Sequence, residues 1–335
     1  MSAGTQGKPP RVSVIVAAYN WSSVLRLALR TVLWQTFTDF EALVIGDHCT
    51  DDSEAVVASF NDPRLIWHNL PENIGNQAGG NQVGLFMARG EYTAYMHQDD
   101  LWTPKHLEVL VAALETTPAH LAYTYCLQVS PAEDNPEDRI RRVLGMPNTG
   151  RLTKTNRSIM IPTIMHRTER GRTIGGWGNW RATPKRVTFD FIERVMGEEE
   201  SHLPVPEITV IKFNSAERRN SYIEKPSHEQ ADFLARLENQ PDFWYRELIL
   251  AVDAHVRDRL PIRALPPRPE NAPPGWGIAY MRYLRGLEPA PPYVPPAKPR
   301  RVRRVARRIR KLIPNAIRSR VAAGLTRVGR FFAET

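Results

Sequence analysis

The chain of 335 residues exceeds the usual size of a single domain, and its hydrophobic fraction of 42% is enough for a sizeable core. Its net charge of +9 arises at the C-terminal end, since residues 298–335 contain 13 Lys and Arg against one acid and carry +12, so that residues 1–297 carry −3. The two cysteines, Cys49 and Cys126, exclude a disulfide framework and a cysteine-based metal cluster and favour a reducing compartment.

Residues 1–10 lack the apolar region of a signal peptide, and we expect them to be disordered. A run of about 18 apolar residues, the minimum for a membrane-spanning helix, occurs nowhere in the chain. We therefore expect neither a signal peptide nor a spanning helix.

Residues 12–46 read as a strand, a helix and a second strand. The first strand, residues 12–17, is a continuous β-branched run, which is typical of a strand buried on both faces of a parallel sheet. Ser22 or Ser23 is predicted to cap the helix, and the second strand follows at residues 42–46. This βαβ unit brings the ends of both strands to one crevice.

A third short strand is predicted at residues 65–68, and the loop at residues 71–81 then leads into a helix. The glycines of this loop allow a backbone to approach a ligand closely, although the loop fits neither the dinucleotide-binding pattern nor the P-loop pattern. The glycine-rich loop alone is therefore weak support for a phosphate site.

Four polar residues follow a predicted strand within residues 90–104. An aromatic-rich apolar run ends abruptly there, at His97, Gln98, Asp99 and Asp100. In an open α/β sheet, ligands collect beyond the carboxyl ends of the strands, so the two acids are placed to hold a divalent cation on a phosphorylated ligand. The alternative is that Asp99 and Asp100 cap a helix that Trp102 and Pro104 open.

Four motifs, in this order and at this spacing, resemble the family 2 glycosyltransferases of the GT-A fold. They span residues 11–115 and read VSVIVAAYN, QTFTDFEALVIGD followed by TDDS, NIGNQAGGNQVGLFMARGEY, and HQDDLWTP. The resemblance implies an α/β fold with a Rossmann-like nucleotide-binding half and a mixed, mostly parallel sheet flanked by helices. It also implies an inverting, nucleotide-sugar-dependent transferase that uses a divalent metal, Mn or Mg.

The resemblance further implies roles for single residues. Ala17 and Tyr19 flank the nucleobase, with the Tyr19 ring stacked on it, and Asp47 accepts the base N–H. Asn81 lies near the phosphates, and Asp99 is the metal ligand that bridges to the diphosphate. Further candidates for the nucleotide-sugar site and its metal are Asn20, Gln98, His97 and Asp100.

Three positions depart from the family pattern. His97 stands where many members carry an acid, although imidazole ligates Mn or donates to a phosphate. Gly46 stands where an acid often precedes Asp47, and Gly80 stands where an Arg is frequent before Asn81, which removes one phosphate contact. The alternative function is therefore a catalytically inactive, membrane-associated scaffold that binds a nucleotide sugar or a glycan.

Inverting transfer needs a carboxylate that takes the acceptor proton. In the family this acid follows a loop that contains two glycines, and residues 174–180 supply such a loop here. Asp190 is the predicted base. Alignment on Arg194 would instead place the base position at Thr188, Glu193 is the fallback, and a solvated aspartate at a helix start is the structural alternative for Asp190.

Three further residues have two readings each. Trp177 and Trp180 either stack on a sugar or lipid acceptor or belong to the core. His202 either supplies a late metal or phosphate ligand or is structural. Beyond residue 200 the resemblance thins, although residues 208–213 read as a strand and residues 242–260 as an amphipathic helix.

The remaining chain divides by composition. Residues 116–260 are predicted to form the acceptor-binding half with a helical extension, residues 261–299 a Pro-rich linker, and residues 300–335 a basic amphipathic tail. A basic face opposite a narrow apolar one suits an anionic membrane, where each Lys or Arg contributes on the order of 1 kcal/mol. The alternatives for the tail are nucleic acid and a partner protein, but it has no recognisable groove-reading module, and we do not expect nucleic acid as a partner.

The sequence thus predicts a GT-A glycosyltransferase with a helical basic extension, peripherally associated with the cytoplasmic face of a membrane. It would move a sugar from a nucleotide-diphosphate donor to a cell-envelope glycan or a lipid-linked acceptor.

Overall fold

The computed structural model describes residues 8–131, 141–145, 159–197, 201–258, 279, 282–283 and 285–287. All of them lie within the first compact unit of the chain, Met1–Tyr293. The predicted tail and most of the predicted Pro-rich linker lie outside the described residues. None of the described helices is long and apolar enough to cross a membrane.

The strands of the described residues form one mixed sheet. In chain order they are β1 (Val12–Ala18), β2 (Phe40–Gly46), β3 (Leu65–Asn69), β4 (Tyr92–His97), β5 (Leu101–Trp102), β6 (Leu121–Val129), β7 (Arg141–Leu144), β8 (Ile164–Arg167) and β9 (His202–Phe213). The order across the sheet is β3-β2-β1-β4-β8-β6-β9-β5, with β7 paired to β6. Strands β1 to β4 are parallel, as predicted, and antiparallel pairing begins where β8 joins β4.

Helices cover both faces of the sheet. In chain order they are α1 (Ser22–Leu33), α2 (Ser53–Ala58), α3 (Gln77–Met87), α4 (His106–Glu115), α5 (Thr168–Thr173), α6 (Val187–Met196), α7 (Ser221–Glu224), α8 (His228–Asn239) and α9 (Phe243–Asp258). Val14 and Val16 pack with α1 and α4 on one face, whereas Ile15 packs with α3 on the other. This burial on both faces explains why β1 is an unbroken apolar run.

The predicted start of the helix after the acidic pair is wrong. Leu101–Trp102 forms β5, which pairs antiparallel with β9, and α4 begins only at His106 with Lys105 at its N-cap. Trp102 is buried. Asp99 and Asp100 therefore do not cap this helix.

The start of α1 also differs from the prediction. Ser22 is the first helical residue, Trp21 is at the N-cap, and no side chain caps the helix there. The backbone N–H of Ser22 instead donates to the Asp51 carboxylate at 3.1 Å. The loop after β2 thereby supplies the acceptor that a capping serine would have provided.

The parallel register brings three strand ends to one edge of the sheet. Ala17 of β1 lies opposite both Ile45 of β2 and His97 of β4. Asp47 directly follows β2 at the same edge. Because β1 separates β2 and β3 from β4, the chain changes direction across the sheet here, which is where open α/β sheets bind ligands.

Candidate functional site

Asp47 holds the glycine-rich loop against the end of β2. Its carboxylate accepts the backbone N–H groups of Ile74 at 2.7 Å and Gly75 at 2.9 Å. The Asn73 side chain donates to its backbone carbonyl at 2.9 Å. A carboxylate has about four lone-pair sites, so Asp47 keeps acceptor capacity for a ligand N–H after both backbone bonds are made.

Tyr19, Gln98 and Tyr222 form a connected cluster beside this loop. Gln98 accepts the Tyr19 N–H at 2.8 Å and donates to the Tyr19 carbonyl at 3.2 Å and to the Tyr222 hydroxyl at 3.3 Å. The Tyr19 and Tyr222 rings stack with centroids 6.3 Å apart. Burial, followed by the nearby Asp99 carboxylate, raises the pKa of Tyr222 to about 12, so its hydroxyl is neutral at physiological pH.

Asn20 links the ends of β1 and β2. It has a positive φ of 42°, and its side-chain oxygen accepts the backbone N–H groups of Thr50 at 2.7 Å and Asp51 at 3.2 Å. The structure therefore places Asn20 at the edge where β1 and β2 end, and its amide oxygen shapes the loop after β2.

Asn81 lies in the second turn of α3. It is 2% exposed, and its side-chain nitrogen has no hydrogen-bond partner among the described residues. A buried donor without a partner is unusual and is consistent with a polar ligand. Gly80 lets α3 approach β1, because a Cβ there would lie 3.1 Å from the Cβ of the half-buried Ala17.

His97, Asp99 and Asp100 offer donor atoms that lie within 4.8 Å of one another. The Asp99 carboxylate makes no hydrogen bond or ion pair with any residue that the structure describes, although Asp99 is only 7% exposed. The Nε2 atom of His97 is buried and has no partner there either. A carboxylate without a hydrogen bond, in one cluster with an imidazole whose Nε2 atom is unpartnered, fits a divalent cation such as Mn.

Asp100, unlike Asp99, is bonded through its carboxylate to neighbouring residues of the protein. It is fully buried, and its carboxylate lies 2.9 Å from Lys212 Nζ, 3.0 Å from the Phe213 N–H nitrogen and 3.0 Å from His97 Nδ1. Burial alone would raise the pKa of Asp100, but Lys212 and His97 outweigh it and lower that pKa to about 2. Asp100 thus orients His97 and ties the cluster to β9, while Asp99 stays available.

Asp190 lies in the first turn of α6, as predicted. Its Oδ2 accepts from Arg194 Nε at 2.8 Å, and Arg194 Nη1 donates to the carbonyls of Ile174 at 3.0 Å and Gly176 at 2.7 Å. The ion pair therefore fastens the two-glycine loop onto α6. The Oδ1 atom of Asp190 has no hydrogen bond among the described residues.

The two other candidates for the base lie in the same helix. Thr188 is half-buried in the first turn, and Glu193 forms an ion pair with Lys185. A threonine hydroxyl is a poor proton acceptor at neutral pH. Asp190 and Glu193 are each paired with a cation, Arg194 and Lys185 respectively. These contacts do not separate the two acids, and Asp190 stays the predicted base.

Both tryptophans of the two-glycine loop belong to the core. Trp177 stacks on Phe191 with centroids 4.3 Å apart and donates its indole N–H to the Tyr95 hydroxyl at 3.3 Å. Trp180 is 8% exposed and donates its indole N–H to the Ile74 carbonyl at 3.3 Å. The structural alternative for these residues is therefore the one that the geometry supports.

His202 lies at the other end of the sheet. It starts β9 opposite Leu121, and through His166 of β8 that position is level with Thr93, near the start of β4. His97 is four residues further along β4, which is about 13 Å at 3.3 Å per residue. The structure does not bring His202 to the acidic cluster.

Residues 13–172 match the family model described as "Glycosyl transferase family 2". An uncharacterised glycosyltransferase of Nostoc is 33% identical over 32% of this chain and 34% of its own length. The UDP-Glc:alpha-D-GlcNAc-diphosphoundecaprenol beta-1,3-glucosyltransferase WfaP of Escherichia coli is 28% identical over 34% of this chain and 45% of its own length. The chain thus spans from a third to less than half of the length of these curated relatives.

A crystal structure of S. aureus TarS has a similar fold, with a TM-score of 0.50 and 16% identity over 76% of this chain and 44% of that chain. At this identity the likeness concerns the fold alone. Together with the family match, it confirms the predicted α/β fold of the GT-A type.

Proposed function

Residues 13–172 belong to glycosyl transferase family 2, and from this membership and the geometry beyond β4 we propose that the protein transfers a sugar from a nucleotide-diphosphate donor with inversion. The observation that carries the proposal is the pair of unengaged metal-binding groups, the Asp99 carboxylate and His97 Nε2, at the sheet edge where ligands collect. Both groups are buried or nearly so, which is costly unless a ligand engages them.

Each part of the donor has a candidate contact. Tyr19 would stack on the nucleobase and Asp47 would accept its N–H, while Asn81 would donate its unpartnered amide to a phosphate. Asp99 and His97 would hold Mn or Mg. Such a cation would offset the charge that develops on the leaving diphosphate.

The acceptor class is inferred from relatives. The name of WfaP gives it a UDP-Glc donor and a diphosphoundecaprenol-linked acceptor. We extend only the class to this chain, namely a nucleotide-sugar donor and a lipid-linked or other cell-envelope acceptor. The matched segment covers a third of the chain, so the acceptor side depends on residues beyond it.

The proposed base is Asp190, whose Oδ1 would take the proton of the attacking hydroxyl. Replacing Asp190 with Asn should lower kcat by about 100-fold or more while donor affinity changes little, because general base catalysis typically contributes 10²–10⁴-fold. Glu193→Gln, in the same helix, is the matched control and should stay within about threefold of the wild type. Thermal melting tests whether a weakened Arg194 contact destabilises the variant and so lowers kcat indirectly. An unchanged kcat in Asp190→Asn would exclude this base.

A screen of nucleotide sugars tests the proposed function. A ligand that binds only the native state raises the melting temperature, by the equivalent of about 2.7 kcal/mol at 100 times its Kd. We expect at least one of the UDP-, GDP-, dTDP- or ADP-sugars to stabilise the protein only when Mn²⁺ or Mg²⁺ is present, and the matching diphosphate to be released on turnover. Metal-dependent binding without any release of nucleotide would instead favour the inactive scaffold, and no binding at all would contradict both.

We also propose that residues 300–335 hold the protein on the anionic inner face of a membrane. The proposal is based on sequence, since apolar positions recur at helical spacing among the arginines of this segment. Deleting residues 300–335 should release the protein from phosphatidylglycerol-containing liposomes in a flotation assay and leave donor hydrolysis unchanged. Retention of the truncated protein on these liposomes would contradict this role.

A further inference from the structure

Two arginines distant in sequence contact residues of the candidate nucleotide site. Arg282 and Arg285 lie within the predicted Pro-rich linker, residues 261–299, and are both half-buried. Arg282 Nη1 donates to the backbone carbonyl of Gly75. The Gly75 N–H donates to the Asp47 carboxylate. Gly75 thus links Arg282 to the predicted acceptor for the nucleobase.

Arg285 lies beside Tyr222. Its guanidinium carbon is 5.8 Å from the centroid of the Tyr222 ring, and its carbonyl accepts the Tyr222 N–H at 3.2 Å. Tyr222 stacks with Tyr19 and is bonded to Gln98, the residue before Asp99. The Nε atom of Arg285 is buried and has no hydrogen-bond partner in the described part of the chain.

The charge balance of the site calls for such groups. Asp47, Asp99 and Asp100 are all buried at this edge, and the Lys212 ammonium is already paired with Asp100 at 2.9 Å. Helix α3, which leads away from the glycine-rich loop, contains no Lys or Arg. A nucleoside diphosphate adds further negative charge, which guanidinium groups match well because they donate two parallel hydrogen bonds to a phosphate.

We propose that Arg285 binds the diphosphate of the donor and that Arg282 positions the glycine-rich loop around the nucleoside. The proposal rests on the proposed function and assigns the two cations to opposite parts of one ligand. Arg285 is assigned to the phosphate side because it and Asp99 both lie near Tyr222, whereas Arg282 acts through Gly75 and is a positioning residue. The Pro-rich segment thus brings to the site the positive charge that α3 does not supply.

Calorimetry on the full chain with Mn²⁺ tests this assignment, with UDP and UMP as the probes, or GDP and GMP if the wild type prefers guanine. Arg285→Gln should weaken binding of the diphosphate by about tenfold or more and binding of the monophosphate by less than about threefold, because a hydrogen bond to a charged group is worth at least about a tenfold change. Arg285→Lys should restore part of the loss. Arg282→Gln should weaken both nucleotides by a similar factor.

Arg26→Gln is the matched control, because Arg26 is an exposed arginine of α1 that bonds only to Ser59 among the described residues, and it should leave both affinities unchanged. Equal losses of diphosphate and monophosphate affinity in Arg285→Gln, or no loss, would overturn the assignment. Melting curves exclude loss of folding as the cause. A wild type that binds no nucleoside diphosphate with Mn²⁺ would instead refute the proposed function, and with it the role of both arginines.

Discussion

Replacing Asp99 with Asn should lower the Mn²⁺-dependent affinity for a nucleoside diphosphate by more than about 100-fold, since even the outer-shell partners of metal ligands are worth 10–100-fold. The amide keeps the shape of the side chain but removes the negative charge that attracts the cation. The free energy of unfolding should not fall, because the carboxylate makes no hydrogen bond with the described residues that the substitution could break and a neutral amide is less costly to bury than a charged group. Calorimetry and thermal melting of the same samples measure both quantities.

The control for this change is Asp232→Asn, which alters a half-exposed acid on α8 in an ion pair with Arg236. Its nucleotide affinity should equal that of the wild type. The combination of lost affinity and retained stability is what separates a ligand-binding carboxylate from a structural one. Unchanged affinity in Asp99→Asn would remove the metal site from position 99.

Replacing Lys212 with Met should destabilise the protein by about 3–5 kcal/mol, because removing one partner of a buried ion pair leaves the other charge uncompensated. The Asp100 side chain is fully buried, and only His97 and the Phe213 N–H would still contact it. Urea unfolding, followed by circular dichroism, measures the loss. Adding Asp100→Asn should recover part of it, since a neutral amide is less costly to bury than an unpaired carboxylate.

Arg236→Met serves as the matched control for Lys212→Met. It breaks the ion pair with Asp232, four residues away on α8, in which both side chains are more than a third exposed. The loss of this exposed pair should cost only about 0.3–0.5 kcal/mol of the free energy of unfolding. If Lys212→Met cost as little as this control, the ion pair would not anchor the cluster to β9. Asp100 would then have no demonstrated structural role.

The parallel half of the fold was predictable because three of its strands, β1, β2 and β4, are almost entirely buried. Such strands appear in a sequence as short apolar runs with polar residues directly after them, and Asp47 and His97 mark the ends of β2 and β4 in this way. Parallel pairing then places these ends at one edge without further information. The shared edge of the strand ends therefore follows from local sequence, whereas the roles of the residues at that edge were implied by the family resemblance.

The residues that complete the site come from distant segments and carry no local signal. Lys212 contacts Asp100 across more than a hundred residues of chain, because β9 joins the sheet beside β5. Tyr222 and Arg285 stand in no motif that the sequence analysis singled out. Tertiary contacts bring Tyr222 to Gln98 and Arg285 to Tyr222. Only the pairing of distant strands and loops assigns them to this edge.

The same reason explains one prediction that failed and one alternative that the sequence left open. Trp102 and Pro104 resemble a helix start, but pairing of Leu101–Trp102 with β9 overrides that local preference. Trp177 satisfies equally well the pattern of an acceptor platform and that of a core residue, and only its stacking on Phe191 decides between them. Aromatic residues in a loop thus give no assignment until the packing around them is known.

The most direct measurement is a crystal structure of the protein with Mn²⁺ and the nucleoside diphosphate selected by the screen, in which anomalous scattering locates the metal. We expect the Mn²⁺ peak between the Asp99 carboxylate and the diphosphate oxygens, with the nucleobase beside Tyr19 and Asp47. A diphosphate bound elsewhere, or an Asp99 side chain turned away from the metal, would contradict the proposed donor site.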